Sequence, residues 1–217
     1  STRPGSRAVP PREEEARVVP VIRSIRDELP DIGISIDTRR STVASASLDA
    51  GANMINDVSS LGDSGMAEVI VEYGCPVCLM HMKGIPENMQ KNPQYYDVVS
   101  EVRKSLANST SKLNLLGVDN SRIIVDPGIG FGKTVDNNFQ IINQLNEFCK
   151  LGLPVMIGPS RKSFIGSTLD LPVDDRLEGT AATVAAGILN GARIVRVHDV
   201  KEIKRVVSIV EKIRIAV

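Results

Sequence analysis

The sequence predicts a single-domain parallel α/β fold, on three observations. Apolar runs of strand length alternate with helix-period stretches along the whole of the 217 residues, the pattern of repeated βαβ units. Two of these runs end in bursts of polar residues, Ser160-Arg161-Lys162-Ser163-Phe164 and Arg196-Val197-His198-Asp199-Val200. Strands that end this way mark the rim of a parallel barrel, where functional groups come from the C-terminal ends of several strands. No linker, low-complexity segment or repeat divides the chain. The two rim clusters are cationic and suggest an anionic substrate.

In chain order, a helix is predicted over 13–29, a strand over 34–37 and a helix over 42–50. A strand over 53–56, a helix over 65–73, a strand over 77–80 and a helix over 96–116 follow. The last part reads as a strand over 123–126, a helix over 137–149, a strand over 155–158, a helix over 177–189, a strand over 193–197 and a helix over 202–213. Gly51-Ala52, Gly117-Val118, Gly152-Leu153 and Gly191-Ala192 follow four helical runs where a left-handed C-cap belongs. The total is six strands and seven helices, and the first helix has no strand before it. A complete barrel has eight strands, each followed by a helix. Periodicity does not separate an incomplete barrel from a doubly wound open sheet.

Hydrophobic residues make up 42% and charged residues 24% of the chain, with a formal net charge of +0. Nothing global argues for nucleic acid or an anionic membrane. Aromatics are 3%, with no Trp, which disfavours a base-stacking surface. No apolar run approaches the length of a membrane span and no signal peptide is visible. Three cysteines are too few for a disulfide framework, so the expected location is the cytoplasm. Cys75-Pro76-Val77-Cys78 has the spacing of a redox or zinc half-site, but there is no second pair. Cys78 and Cys149 read as small buried hydrophobes. The charged run 12–17 reads as a solvated helix face.

Side chains alternate faces along a strand. Ser35 and Asp37 share one face, Asp126 falls on the face of Ile124, and Arg196 and His198 fall on the face of Ile194. With helices on the outer face, Asp37, Asn56, Asp126 and Arg196 converge in one mouth and suit a flat heterocycle with several N–H donors. Taken singly, a strand-terminal Asp also fits a plain cap of the following turn. Asp126-Pro127-Gly128-Ile129-Gly130-Phe131-Gly132-Lys133-Thr134 invites a nucleotide reading, but Pro127 stands where the phosphate-loop pattern needs Gly. It reads instead as a glycine-rich loop that lets backbone and Phe131 close over a ligand. His81 reads as a turn or packing residue, and His198 as a partner of Arg196 on an anion.

These motifs resemble the dihydropteroate synthases, a family of pterin-binding (β/α)₈ barrels. The resemblance rests on Ser1-Thr2-Arg3-Pro4-Gly5, Ser35-Ile36-Asp37-Thr38, Ile55-Asn56-Asp57, Met80-His81-Met82-Lys83-Gly84, the 126–133 loop, Ser160-Arg161-Lys162-Ser163-Phe164, Arg176-Leu177-Glu178-Gly179-Thr180 and Arg196-Val197-His198-Asp199-Val200. They run in family order across nearly the whole chain, and they decide for the barrel over the open sheet. The fold so implied is a (β/α)₈ barrel over residues 1–217, incomplete at the N-terminus. The family's first strand, the following helix and the second strand are expected upstream of Ser1.

The resemblance implies a transferase of folate biosynthesis and a sulfonamide target. It joins 6-hydroxymethyl-7,8-dihydropterin pyrophosphate to p-aminobenzoate, giving 7,8-dihydropteroate and pyrophosphate. Asp37, Asp126, Lys162 and Arg196 are the implied catalytic residues. Asp126 and Asn56 would bind the aminopyrimidinone edge of the pterin, Lys162 its ring carbonyl and nitrogen, and Arg196 its face, with Met80, Gly158 and Phe131 nearby. Asp37 lies where positive charge develops as pyrophosphate leaves. Thr2, Arg3, Pro4, Phe131, Lys162 and Ser163 would hold p-aminobenzoate, Ser163 at a helix start suited to its carboxylate. Arg3, Arg196 and His198 would hold the diphosphate. Mg²⁺ is implied as cofactor, with its Asn ligand in the missing upstream segment and no metal ligand in this chain. A cytoplasmic homodimer acting on small molecules, without nucleic acid or membrane, is expected. A pterin-binding methyltransferase domain and a non-catalytic pterin-binding module are the alternatives. The first has no use for Lys162-Ser163 or for Arg196 with His198.

Overall fold

The computed structural model describes residues 5, 6 and 8–216. Among them lie six parallel strands: β1 (Ser35–Thr38), β2 (Met54–Asp57), β3 (Val77–Met80), β4 (Ile123–Asp126), β5 (Met156–Ile157) and β6 (Ile194–Val195). The strands pair in chain order, β1 to β4 in one ladder and β5 with β6 in a second. A parallel bridge between Val125 and Val155 joins the two ladders. The Arg196 N–H donates to the Ile157 carbonyl at 2.9 Å, so pairing continues one step past the end of β6.

Register sorts the side chains. Asp37, Asn56, Cys78 and Ile124 stand in one row across the sheet, and Met80 and Asp126 form the next row up the same face. Their neighbours on the opposite face, among them Ile36, Ile55, Val77, Leu79, Ile123 and Val125, are buried in the main hydrophobic core against the helices. Alternation along each strand thus sends one aliphatic set outward under the helices and turns Asp37, Asn56 and Asp126, interleaved with Cys78, Ile124 and Met80, into the barrel interior. The placement of Asp37, Asp126 and Arg196 on one face follows the sequence prediction.

The helices are α1 (Pro11–Glu28), α2 (Ser41–Asp49), α3 (Met66–Tyr73), α4 (Val98–Leu115), α5 (Val135–Asn143), α6 (Asn146–Cys149), α7 (Ser163–Leu169), α8 (Leu177–Leu189) and α9 (Val200–Ile215). Among the described residues there are nine, where seven were predicted. The stretch predicted as one helix over 137–149 divides because the Glu147 and Phe148 N–H groups bond three residues back, to Gln144 and Leu145. That tighter turn lets Leu145 and Phe148, both fully buried, face the core together. Helix α7 was absent from the periodicity reading; only the resemblance put a helix start at Ser163, where the helix begins. Its sequence is poor in helix formers, and it is held by burial of Phe164 and Ile165. The predicted glycine caps hold, and at Gly51, Gly117 and Gly191 the next residue's N–H reaches the carbonyl five residues back.

Two expectations need correction. Cys149 is exposed, not buried, because α6 ends at the surface and its thiol turns toward the Gly191 carbonyl. The charged run 12–17 is not all solvated. Glu14 accepts from the Thr38 hydroxyl at 2.7 Å and pairs with Arg40 at 3.2 Å, which ties α1 to the end of β1.

Candidate active site

The C-terminal ends of the strands surround a cavity of about 980 Å³. Asp37, Phe131, Lys162, Ser163, Arg196 and His198 line it, as the sequence predicted, together with Gly130, Ser160 and Arg161. Glu14, Arg17, Arg39, Arg40 and Asp174 also line it and were not foreseen as site residues. Six basic and three acidic side chains border the cavity, so its field favours an anion. The adjacent Arg39-Arg40 pair after β1 was the available sequence signal. Thr2, Arg3 and Pro4 lie outside the described residues.

Four other predicted site residues, Asn56, Met80, Asp126 and Gly158, do not line this cavity; they lie on or at the ends of the strands beneath it, a floor that Asn56 joins to the lining Asp37. Asn56 is 4% exposed and Asp126 5%. The Asn56 amide donates to Asp37 Oδ1 at 2.8 Å. Asn56 Oδ1 is buried and has no partner among the described residues, so an unused acceptor faces the interior. Unpaired buried acceptors are rare because each carries a desolvation cost of about 1–3 kcal/mol. Asp126 Oδ1 accepts the Gly128 N–H at 2.7 Å. Burial raises its carboxyl above the usual range, opposed by Lys162, by the Gly128 N–H, by Lys133 and by Arg196. Met80 is buried and sits beside Asp126 in the β3–β4 register. Gly158 faces the stem of Arg196: a Cβ there would lie 3.8 Å from the Arg196 Cβ.

Lys162 stands between floor and wall. Its Nζ donates to the Ile129 carbonyl and lies 4.3 Å from the centre of the Phe131 ring. Burial lowers its pKa to about 8, against the raising effect of Asp126. Arg196, from the end of β6, bridges to Asp37 at the end of β1 at 2.5 Å. Ser160 Oγ holds His198 twice, accepting its backbone N–H at 3.2 Å and meeting Nδ1 at 2.9 Å.

The glycine-rich loop after β4 is shaped by close approach. Gly128 has φ +71°, and a Cβ there would lie 1.9 Å from the His81 carbonyl oxygen. Lys133 is buried beneath this loop. It meets His81 Nδ1 at 3.1 Å and donates to the Phe131 carbonyl at 3.0 Å. Burial lowers Lys133 to about 7, and burial with the nearby lysines takes His81 to about 3. His81 is therefore a neutral packing residue, as read from the sequence.

Chemically, the site joins a buried floor of acceptors, a lysine of lowered pKa beside an aromatic ring, and a basic rim. The family model of the pterin binding enzymes matches residues 1–198. A dihydropteroate synthase from Haemophilus influenzae is 43% identical over 200 residues, covering 92% of this chain and 72% of its own. The crystal structure of the Yersinia pestis dihydropteroate synthase with a sulfonamide drug complex superposes with a TM-score of 0.95 at 39% identity, covering 100% of this chain and 78% of that one. A Xanthomonas albilineans dihydropteroate synthase with 4-aminobenzoic acid superposes with a TM-score of 0.93 at 36% identity, covering 100% and 77%.

Proposed function

The chain belongs to the pterin binding enzyme family, with dihydropteroate synthases as its relatives, and from that premise we propose how its residues divide the work. The activity is that of a dihydropteroate synthase, a transferase of folate biosynthesis, and the fold is the (β/α)₈ barrel of its structural neighbours. The observation that carries the reading is the buried floor. The carboxylate of Asp126 and the unpartnered Oδ1 of Asn56 suit the N–H donors along the aminopyrimidinone edge of a pterin.

Lys162 donates to the ring carbonyl and nitrogen of the pterin. Arg196 covers the ring face, and Met80 and Gly158 bound the slot. Phe131 flanks p-aminobenzoate, whose carboxylate meets Ser163 at the start of α7. Arg196 and His198 hold the diphosphate; Arg3, the third residue of that reading, lies outside the described residues. In the reaction the bond from the pterin methylene carbon to the diphosphate oxygen breaks, and the electron pair leaves with pyrophosphate. The arylamine nitrogen then bonds that carbon and gives up a proton. Asp37 stabilises the positive charge between the two events. Sulfonamides would compete where p-aminobenzoate binds.

Mg²⁺ is the cofactor the resemblance implies. Among the described residues no group of three or more His, Cys, Asp or Glu side chains converges to hold a metal, and no step above runs through one. A cytoplasmic homodimer is part of the same reading. Free cysteines suit a reducing compartment. Among the described residues no helix is long and apolar enough to cross a membrane. Ile209 and Ile213 on α9 are more than half exposed, a face a second copy would cover.

The test is turnover of pterin pyrophosphate with p-aminobenzoate, followed by pyrophosphate release, beside calorimetry with free pterin. Turnover supports the reading. Binding without turnover favours a non-catalytic module, and methyl transfer from methyltetrahydrofolate in its place favours the methyltransferase relatives.

A further inference from the structure

The loop after β5 contains one residue whose backbone is out of the ordinary. Arg161 has φ +56°, a left-handed conformation that a non-glycine residue rarely adopts. Such a residue persists when its surroundings over-determine it, and those residues gather at functional sites. Every polar group of Arg161 is engaged. Its N–H donates to the Thr180 hydroxyl at 3.1 Å, and its carbonyl accepts from the Arg176 guanidinium at 3.0 Å. Its own guanidinium makes a two-pronged pair with Asp199, at 3.0 and 2.5 Å. Arg176 in turn fits against Gly166 of α7, where a Cβ would lie 2.2 Å from it.

The partner is equally committed. Asp199 stands at the N-cap position of α9, where an aspartate ordinarily accepts the helix's own N–H groups. Its side chain makes no cap bond. Both carboxylate oxygens go to Arg161, which leads the influences that hold the Asp199 carboxyl below the usual range. Asp199 directly follows His198, and Ser160, which holds His198, directly precedes Arg161.

We propose that Arg161 and Asp199 form a clamp across the rim that positions His198 for the diphosphate. The clamp joins the β5 loop to the β6 loop by a bidentate charged pair, the geometry that a lysine cannot reproduce. Its Ser160–His198 neighbour transmits the alignment to the imidazole. Arg161 is a positioning residue: it acts through His198 and leaves the floor alone. Asn56 and Asp126 belong to strands, and Lys162 has its own anchors on Ile129 and Phe131.

The inference rests on the diphosphate role given to His198 above, and the experiment separates the two. Wild type, Arg161→Gly, Asp199→Asn and the double variant are compared as full chains. Glycine adopts the left-handed backbone without strain, so Arg161→Gly removes the guanidinium and keeps the turn. Expected is about tenfold weaker inhibition by inorganic pyrophosphate in each single variant. Free-pterin affinity stays within about twofold, and the double variant is no worse than the worse single one. Equal weakening of pterin and pyrophosphate would mean a folding role and overturn the clamp. So would unchanged pyrophosphate inhibition, or additive losses in the double variant. Wild type without pyrophosphate inhibition or pterin affinity would instead sink the reading beneath it.

Discussion

Replacing Asp126 by Asn tests the floor of the site with little change of shape. Asn is nearly isosteric, and its Oδ1 keeps the 2.7 Å bond from the Gly128 N–H, so the glycine-rich loop stays in place. What changes faces the ligand. A charged acceptor becomes an amide NH₂, and a donor then meets a pterin N–H. A hydrogen bond to a charged group contributes about 1.5–3 kcal/mol. At 1.4 kcal/mol per factor of ten, pterin affinity falls by about ten- to 150-fold. The same substitution reaches Lys162. Burial lowers that lysine to about 8 against the raising effect of Asp126, so loss of the carboxylate lowers it further. The alkaline limit of pterin binding therefore moves to lower pH in Asp126→Asn. Calorimetry with free pterin across pH reads both effects, with urea unfolding to confirm that the chain stays folded. Unchanged affinity in a folded variant refutes the floor assignment, and an unmoved alkaline limit refutes the coupling to Lys162.

Ser163→Ala should raise KM for p-aminobenzoate more than KM for the pterin substrate; equal changes would count against placing Ser163 on the acid's carboxylate. Gly128→Ala should destabilise the chain by about 2–5 kcal/mol, from the left-handed backbone and the collision with the His81 carbonyl, and urea titration would show it. Lys133 is lowered from 10.5 to about 7 by burial, so from pH 7 to 10.5 the unfolded chain binds more protons and this residue makes stability rise with pH. Lys133→Met should flatten that rise, and a series of melts across the window would reveal an unchanged slope if the reading is wrong.

Much of this was legible because the strands segregate two kinds of residue. β3 and β4 fall at their predicted bounds, since Val77–Met80 and Ile123–Asp126 are apolar runs stopped by polar residues. β5 is shorter than predicted because Gly158 and Pro159 follow Ile157, and proline offers no ladder donor. Helix α7 was hidden from periodicity, because Ser163–Leu169 owes its form to burial, which local propensity does not record; only the resemblance marked its start. Asp37, Asp126 and Arg196 were found through face alternation alone. Glu14 and Arg40 were missed because their pairing spans α1 and the loop after β1, a contact that no spacing in the sequence marks. Arg161 was visible only as one member of a basic run. Its left-handed backbone and its bond to Asp199 are tertiary facts.

The pair of Arg196 and Asp37 bears on how the proposed reaction is ordered. The arginine is 60% exposed and the carboxylate 33%, so water screens the pair and each partner is released at little cost. A diphosphate carries more negative charge than one carboxylate and offers a guanidinium a bidentate seat. On the proposed assignment its arrival would draw Arg196 away from Asp37. The freed carboxylate would keep the Asn56 amide at 2.8 Å and would face the carbon from which pyrophosphate departs. Asp37 would thus become fully available to a developing cation only after the diphosphate has bound. Release of pyrophosphate from the site, after the new C–N bond has formed, would let Arg196 return to Asp37.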